Sequence, residues 1–163
     1  RQRQMCIRDR FNIISRELPD CTFLDLFSGS GAIAIEALSR GAKQAVLVEQ
    51  NRKAVDCINR NLEFTKLKDK ARVITGDCVA AIDSLEQSGL VFDIIFMDPP
   101  YGKLLEKQVL NCLASSGIVD KNTWIIVESD LDTEYDYLTD IGYEIDRVKK
   151  YKTNKHTFIQ EIL

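Results

Sequence analysis

The chain alternates short apolar runs with stretches in which apolar residues recur at every third or fourth position. A short apolar run is typical of a buried strand, whereas the longer spacing places apolar side chains on one face of a helix. This pattern predicts five strands separated by helices. The predicted strands span residues 22–27, 45–49, 72–75, 92–97 and 123–128. The predicted helices span residues 31–40, 52–64, 79–85 and 104–113.

Such alternation predicts an α/β fold, a doubly wound and mostly parallel Rossmann-like sheet with right-handed crossovers. The run 92–97 is almost purely apolar, as expected for a strand at the centre of a sheet that is covered on both faces. Two further strands, 143–148 and 157–162, are joined by a short polar loop. They predict an antiparallel hairpin at the C-terminus. The pattern contains neither repeats nor a linker and therefore indicates one domain.

The composition narrows the class of protein. The chain has 163 residues, of which 45% are hydrophobic and 29% charged, with only 8 Gly and 3 Pro. These values exclude a disordered or low-complexity protein. No apolar run is long enough to cross a bilayer or to form a signal peptide, so we expect a cytoplasmic protein without membrane contacts. With a net charge of −3, the molecule as a whole does not attract polyanions such as nucleic acids. A local basic patch is still sufficient to bind one.

The cysteines and the histidine are not expected to have disulfide, metal-binding or catalytic roles. The five cysteines are scattered and include no Cys-x-x-Cys pair, so neither a disulfide framework nor a metal site is expected. His156 is the only histidine and lies in a strand-like stretch. Because it has no plausible serine or cysteine partner, it is a poor candidate for nucleophilic catalysis.

The first ten residues differ from the remainder. The segment from Met5 to Arg10 fits no helix or strand pattern and adjoins a helical stretch that begins at Phe11. It resembles a translated transposase sequencing adapter. We therefore expect residues 1–10 to be a non-native leader, with the true N-terminus missing, and residues 11–163 to form the domain.

Candidate binding residues follow the first two predicted strands. Asp25, Ser28, Gly29 and Gly31 lie where the first predicted strand ends and its helix begins. Ligands of open α/β sheets bind at the carboxyl ends of the strands, and glycines there allow a tight turn beside a helix N-terminus. Glu49 ends the second strand about twenty residues later, where an acid can accept hydrogen bonds from ribose hydroxyls. The sequence therefore predicts a nucleoside cofactor.

The glycine spacing alone leaves the cofactor open. Gly29, Gly31 and Ala34 also fit the dinucleotide pattern Gly-x-Gly-x-x-Gly/Ala, so an NAD enzyme is an alternative. Asp77 and Cys78 follow the third strand, where the Asp side chain can accept a hydrogen bond from an adenine amino group.

The fourth strand is followed by Asp98, Pro99, Pro100 and Tyr101, which have no role in hydride transfer. Two prolines fix the backbone and remove two donors, so that carbonyl groups are left to point into the cleft. The Asp98 carboxylate and the Pro99 carbonyl can then hold the two hydrogens of a base amino group, while Tyr101 stacks on an extruded base. This motif predicts chemistry at the amino group of a base.

The sequence resembles class I S-adenosylmethionine-dependent methyltransferases with a DPPY motif. More narrowly, it resembles the bacterial 16S ribosomal RNA guanine-N2 methyltransferases. The segments that carry the resemblance are residues 11–14, 24–42, 48–49, 96–101 and 150–158. The DPPY motif is shared with adenine methyltransferases, whereas Ser-Arg-Gly-Ala at residues 39–42 favours the guanine family.

The resemblance implies a role for each motif. The glycine loop, residues 28–31, would hold the methionine part of the cofactor, Glu49 the ribose, and Asp77 with the Cys78 backbone the adenine. Asp98, Pro99 and Tyr101 would form the target-amine site. The full set of expected cofactor-binding residues is Asp25, Ser28, Gly29, Gly31, Glu49, Asp77, Cys78 and Asp98.

The resemblance also implies partners. We expect a monomeric enzyme that acts on 16S ribosomal RNA or on the assembled small ribosomal subunit. Family members begin with an additional basic, strand-rich segment, which we expect to be missing here. Two alternatives therefore remain: an amino-methyltransferase acting on adenine in DNA or RNA or on protein glutamine, and a fragment that binds cofactor without catalysis.

A basic cluster at residues 149–155 is the candidate RNA contact. If the sixth strand runs parallel to the others, its carboxyl end lies at the cofactor edge, and Lys150, Lys152 and Lys155 can contact phosphates there. A solvated hairpin turn is an equally supported interpretation.

Overall fold

The computed structural model describes residues 11–100 and 102–163. The strands of this part are β1 (Thr22–Asp25), β2 (Gln44–Glu49), β3 (Ala71–Thr75), β4 (Ile94–Met97), β5 (Trp124–Asp130), β6 (Tyr143–Lys150) and β7 (Asn154–Glu161). The α-helices with assigned bounds are α1 (Ala32–Ser39), α2 (Arg52–Thr65), α3 (Cys78–Gln87) and α4 (Leu105–Ala114). Short 3-10 helices at Lys68–Lys70 and Thr139–Ile141 complete the described elements.

The described strands form one sheet in the order β3-β2-β1-β4-β5-β7-β6. Strands β1 to β5 pair in parallel, whereas β7 is antiparallel to both β5 and β6. Strand β6 therefore runs in the same direction as β5. The doubly wound, mostly parallel sheet and its C-terminal hairpin are confirmed, with β4 at the centre as its apolar sequence predicted.

The hairpin strands are longer than predicted. β6 continues to Lys150, and β7 begins at Asn154 rather than at residue 157. The added residues are mostly polar and pair across the ladder, with Lys150 opposite Lys155. β6 is an edge strand whose added residues are exposed, so it needs no apolar alternation there. β7 is an inner strand, but it begins with the polar residues Asn154, Lys155 and His156, so the hydrophobic pattern detected neither extension.

The core lies on both faces of the sheet. Helices α1 and α2 pack on one face with Phe11 and Ile14, and α3 and α4 pack on the other. Two caps set where helices begin: the Asn51 side chain accepts hydrogen bonds from the first turn of α2, and Asp77 does so for α3. Within the described residues, no helix has the length and apolarity that a membrane span requires.

The strand order reverses between β1 and β4, because β2 and β3 lie on one side of this pair and β5 on the other. The segments that follow β1 and β4 are therefore neighbours, and the Leu26 N–H donates to the Phe96 carbonyl at 3.0 Å. Chain segments that diverge from such a point leave a crevice at the carboxyl edge of the sheet.

Candidate active site

A cavity of about 600 Å³ opens at the carboxyl ends of β1, β2, β3 and β4. Its size is within the usual range for small-molecule sites. Its wall combines residues 26–30 after β1, 48–50 at the end of β2 and 76–79 after β3 with residues near the end of β4 and on α4. Segments that the sequence singled out separately thus meet at one place.

The glycine loop needs glycine at two positions. Gly29 and Gly31 have φ angles of 56° and 81°, in the left-handed region that favours glycine. A Cβ atom on Gly31 would also lie 3.2 Å from Leu47 Cδ2 and 3.3 Å from Ile58 Cγ1. The loop therefore turns sharply and packs directly against β2 and α2.

Glu49 connects the glycine loop to helix α2. Its Oε1 accepts a hydrogen bond from the Gly29 N–H at 2.9 Å, and its Oε2 accepts one from the Asn51 N–H at 2.9 Å. The side chain also lines the cavity. Because each carboxylate oxygen has two lone pairs, these bonds leave acceptor capacity for a ligand.

Asp77 and Cys78 form the wall after β3. The Asp77 Oδ1 accepts a hydrogen bond from the Ala80 N–H at 3.0 Å, which caps α3. The Cys78 thiol donates to the Leu26 carbonyl at 2.9 Å. Burial, with the charge of Asp77 adding to it, raises the pKa of the Cys78 thiol to about 12. The thiol therefore remains protonated at neutral pH and does not act as a nucleophile.

The expected site residues differ in their exposure to the cavity. Ser28, Gly29, Glu49, Asp77, Cys78 and Asp98 line it. Asp25, Gly31 and Pro99 are buried and are not part of its wall. Asp25 ends β1, a central strand whose two faces are covered by the elements packed on the sheet, which is consistent with its burial. Tyr101 lies outside the described residues.

Several lining residues were missed by the sequence analysis. Phe27, Gln50, Lys103, Gln108 and Val109 all line the cavity. Gln50 and Lys103 directly follow motifs that were recognised, so proximity in sequence could have indicated them. Gln108 and Val109 are on α4, and which of its faces meets the cavity depends on how the helix packs.

The hairpin turn lies at the same edge as the cavity, because the beginning of β7 pairs with the end of β5. Lys150 and Lys152 are exposed there. Lys155 is held in place: its Nζ donates to the Thr133 carbonyl at 2.6 Å and lies 5.6 Å from the Tyr135 ring centroid. The three lysines that the sequence grouped together therefore differ in their availability to a ligand.

His156 is structural in its surroundings. Its side chain is fully buried, its Nε2 lies 2.7 Å from Glu128 Oε1, and its ring meets that of Tyr151 edge-on with centroids 4.7 Å apart. In residues 11–100 and 102–163, no three His, Cys, Asp or Glu side chains are grouped so that they could hold a metal ion.

Comparison with known proteins gives concordant matches. Residues 6–160 match the model of the family described as Conserved hypothetical protein 95. YlbH of Bacillus subtilis is 32% identical over 124 residues, which are 76% of this chain and 67% of YlbH. Ribosomal RNA small subunit methyltransferase D of Escherichia coli K12 is 35% identical over 122 residues, which are 75% of this chain and 60% of that protein. The chain thus spans about two thirds or less of these curated relatives.

A protein of known structure has the same fold. The structure of yhhF from Escherichia coli superposes with a TM-score of 0.84 at 28% identity and covers 97% of this chain and 85% of its own. These matches confirm the class I methyltransferase fold and the resemblance inferred from the motifs. The chain belongs to the family described as Conserved hypothetical protein 95.

Proposed function

We propose that this protein transfers a methyl group from S-adenosylmethionine to the exocyclic amino group of a guanine in 16S ribosomal RNA. The main support is that the glycine loop, Glu49 and Asp98 line the same cavity. This cavity lies at the point where the strand order reverses. The names of the curated relatives supply the substrate class.

The cavity fits the cofactor. A Cβ atom on Gly29 or Gly76 would meet nothing within 4 Å, and both residues line the cavity, so open space lies directly beside two backbone segments. In the proposal the glycine loop binds the methionine part, Glu49 accepts from the ribose, and Asp77 with the Cys78 N–H binds adenine. When bound, S-adenosylmethionine would supply an electrophilic methyl group; S-adenosylhomocysteine would be the leaving group, and the amino nitrogen would release one proton to solvent.

The chain's own contribution is to prepare the target nitrogen. The lone pair of a guanine amino group is delocalised into the ring, which makes the nitrogen a weak nucleophile. Hydrogen bonds from this group to the Asp98 carboxylate and the Pro99 carbonyl favour a pyramidal nitrogen whose lone pair points toward the cofactor. Tyr101 provides the surface on which the extruded base stacks.

The substrate reaches the cavity at the carboxyl edge of the sheet. We propose that Lys150 and Lys152, exposed on the hairpin turn, contact phosphates of 16S ribosomal RNA or of the assembled small subunit. Phosphate contacts position an RNA without reading its sequence. The protein is proposed to act as a monomer in the cytoplasm.

Asp98→Ala tests this mechanism. We expect methyl transfer to fall on the order of a hundredfold, because a positioned acceptor acts mainly in the transition state. Since Asp98 is also an expected cofactor contact, the dissociation constant of S-adenosylmethionine should rise, but only modestly. The measurements are calorimetry with S-adenosylmethionine and with NAD, and tritiated methyl transfer to 30S particles, naked 16S ribosomal RNA and DNA.

Asp83→Ala is the control, since Asp83 is exposed on α3 and does not line the cavity. This variant should transfer methyl groups at the wild-type rate. Preferential binding of NAD, methylation of DNA alone, or wild-type turnover by folded Asp98→Ala would each overturn the proposal.

A further inference from the structure

Helix α2 contacts the glycine loop through a side chain to which no motif assigns a role. The Asn61 Nδ2 donates a hydrogen bond to the Ser30 carbonyl at 2.9 Å, across 31 positions of sequence. The same nitrogen lies 3.6 Å from Cys57 Sγ, one helical turn earlier. Since an amide nitrogen has two N–H donors, both contacts can be made together and they orient the amide toward the loop.

We propose that Asn61 is a positioning residue that fixes the glycine loop in its cofactor-binding conformation. Ser30 lines the cavity, whereas Asn61 does not, so Asn61 acts through the loop and does not touch the ligand. This inference rests on the proposed function, because it concerns the loop that holds the methionine part of S-adenosylmethionine.

The loop is held at three successive residues. The Gly29 N–H is bound by Glu49, the Ser30 carbonyl by Asn61, and Gly31 packs against Ile58. Ile58 and Asn61 are three residues apart on α2 and therefore share one face of the helix. One helix thus supports two adjacent loop residues without lining the cavity itself.

The bond from Asn61 determines the orientation of one peptide group. This peptide joins the Ser30 carbonyl to the Gly31 N–H, which donates to the Ser28 carbonyl at 2.8 Å. Glycine is stable at both positive and negative φ. Without the Asn61 bond, the peptide before Gly31 is held only through its N–H, at Ser28, and it rotates more readily. A loop that samples both orientations must be ordered when the ligand binds, and this ordering lowers affinity.

Asn61→Asp is the sharpest test. The carboxylate has nearly the same shape as the amide but cannot donate, and it repels the Ser30 carbonyl. We expect the dissociation constants of S-adenosylmethionine and S-adenosylhomocysteine to rise about three- to tenfold, the size of one hydrogen bond. Adenosine lacks the methionine part, so its dissociation constant should be unchanged. The methyl-transfer rate at saturating cofactor should also stay near that of the wild type.

Asn111→Asp provides a matched control. The Asn111 Nδ2 donates to the Lys107 carbonyl at 2.9 Å on the exposed side of α4, so the same bond is lost away from the loop. This variant should bind S-adenosylmethionine as the wild type does. Asn61→Ala, which removes the donor without adding charge, replaces Asn61→Asp if thermal unfolding shows that the latter is not folded.

The results separate this inference from the proposed function. If the wild type does not bind S-adenosylmethionine, the proposed function is wrong. If the wild type binds it and folded Asn61→Asp binds it equally well, only the positioning role is wrong. Equal weakening of adenosine binding, or equal losses in Asn61→Asp and Asn111→Asp, would also contradict a role confined to the loop.

Discussion

At the scale of single residues, Glu49 has two roles, and the sequence indicated only one of them. Its position after β2 indicated a ribose contact, and the structure adds two hydrogen bonds, to Gly29 and Asn51, that join the glycine loop to α2. Because the Glu49 carboxylate orders the loop before the ligand binds, less conformational entropy is lost on binding.

Glu49→Ala should therefore weaken S-adenosylmethionine binding by about ten- to a hundredfold, because a charge-assisted acceptor contributes roughly 1.5–3 kcal/mol. Adenosine binding should weaken as well, since the ribose contact is lost with the loop contact. Calorimetry measures both. Glu36→Ala removes a half-buried carboxylate paired with Arg40 outside the cavity and should leave both dissociation constants unchanged. An unaltered affinity in folded Glu49→Ala would contradict the assignment of Glu49.

The residues found from sequence and those missed differ in a physical way. Gly29 and Glu49 stand at strand ends, where local pattern and spacing are informative. Asn61 is a polar residue on the half-buried side of a helix, and its partner Ser30 is 31 positions away. The hydrophobic periodicity of the sequence does not indicate a polar contact between such distant residues. Asp25 matched the motif but is buried at the end of a central strand whose faces are covered, which only the packing of the fold could show.

At the scale of elements, the C-terminal hairpin combines two kinds of lysine. Lys150 and Lys152 are exposed at the turn, whereas Lys155 bonds to the Thr133 carbonyl and lies over Tyr135. The sequence could group these residues by charge. It could not separate them, because the partner of Lys155 comes from the segment that follows β5.

The double variant Lys150→Ala with Lys152→Ala should weaken RNA binding and flatten its salt dependence. Each lost phosphate contact should reduce the log–log salt slope by about 0.7–0.9, while S-adenosylmethionine affinity stays constant. Filter binding to 16S ribosomal RNA over a range of salt concentrations measures the slope. Lys43→Ala with Lys121→Ala removes the same charge at exposed positions before β2 and β5, at the opposite edge, and should not change it. An identical slope in the hairpin variant would show that this turn faces only solvent.

At the scale of the whole molecule, the sequence predicted the class of fold because the crossovers of a parallel sheet obey a handedness rule that holds for nearly all proteins. That rule places α1 and α2 on one face and α3 and α4 on the other, as the two halves of the core show. The cavity follows from the same topology, since neighbouring loops diverge where the strand order reverses.

The two-sided core also buries acidic groups that the unfolded chain exposes. Burial raises the pKa of the Cys21 and Cys78 thiols from 9.0 to about 12. It also raises the pKa of the Tyr135, Tyr137 and Tyr143 hydroxyls above 10.0. Above pH 9 the unfolded chain releases protons that the folded protein retains. These groups should therefore leave the free energy of unfolding unchanged well below pH 9 and lower it as the pH rises from 9 toward 12.

Each buried thiol contributes roughly 1.4 kcal/mol of lost stability per pH unit between its unfolded and folded pKa values. Urea unfolding at pH 8, 9, 10 and 10.5 under reducing conditions measures the slope, to which the tyrosines add above pH 10. Between pH 9 and 10, Cys78→Ala should make the fall in the free energy of unfolding less steep by roughly 1.4 kcal/mol per pH unit, the contribution of one buried thiol. A free energy of unfolding that stays flat to pH 10.5 would mean that these groups reach water in the folded protein and that the core is less tightly closed than its packing indicates.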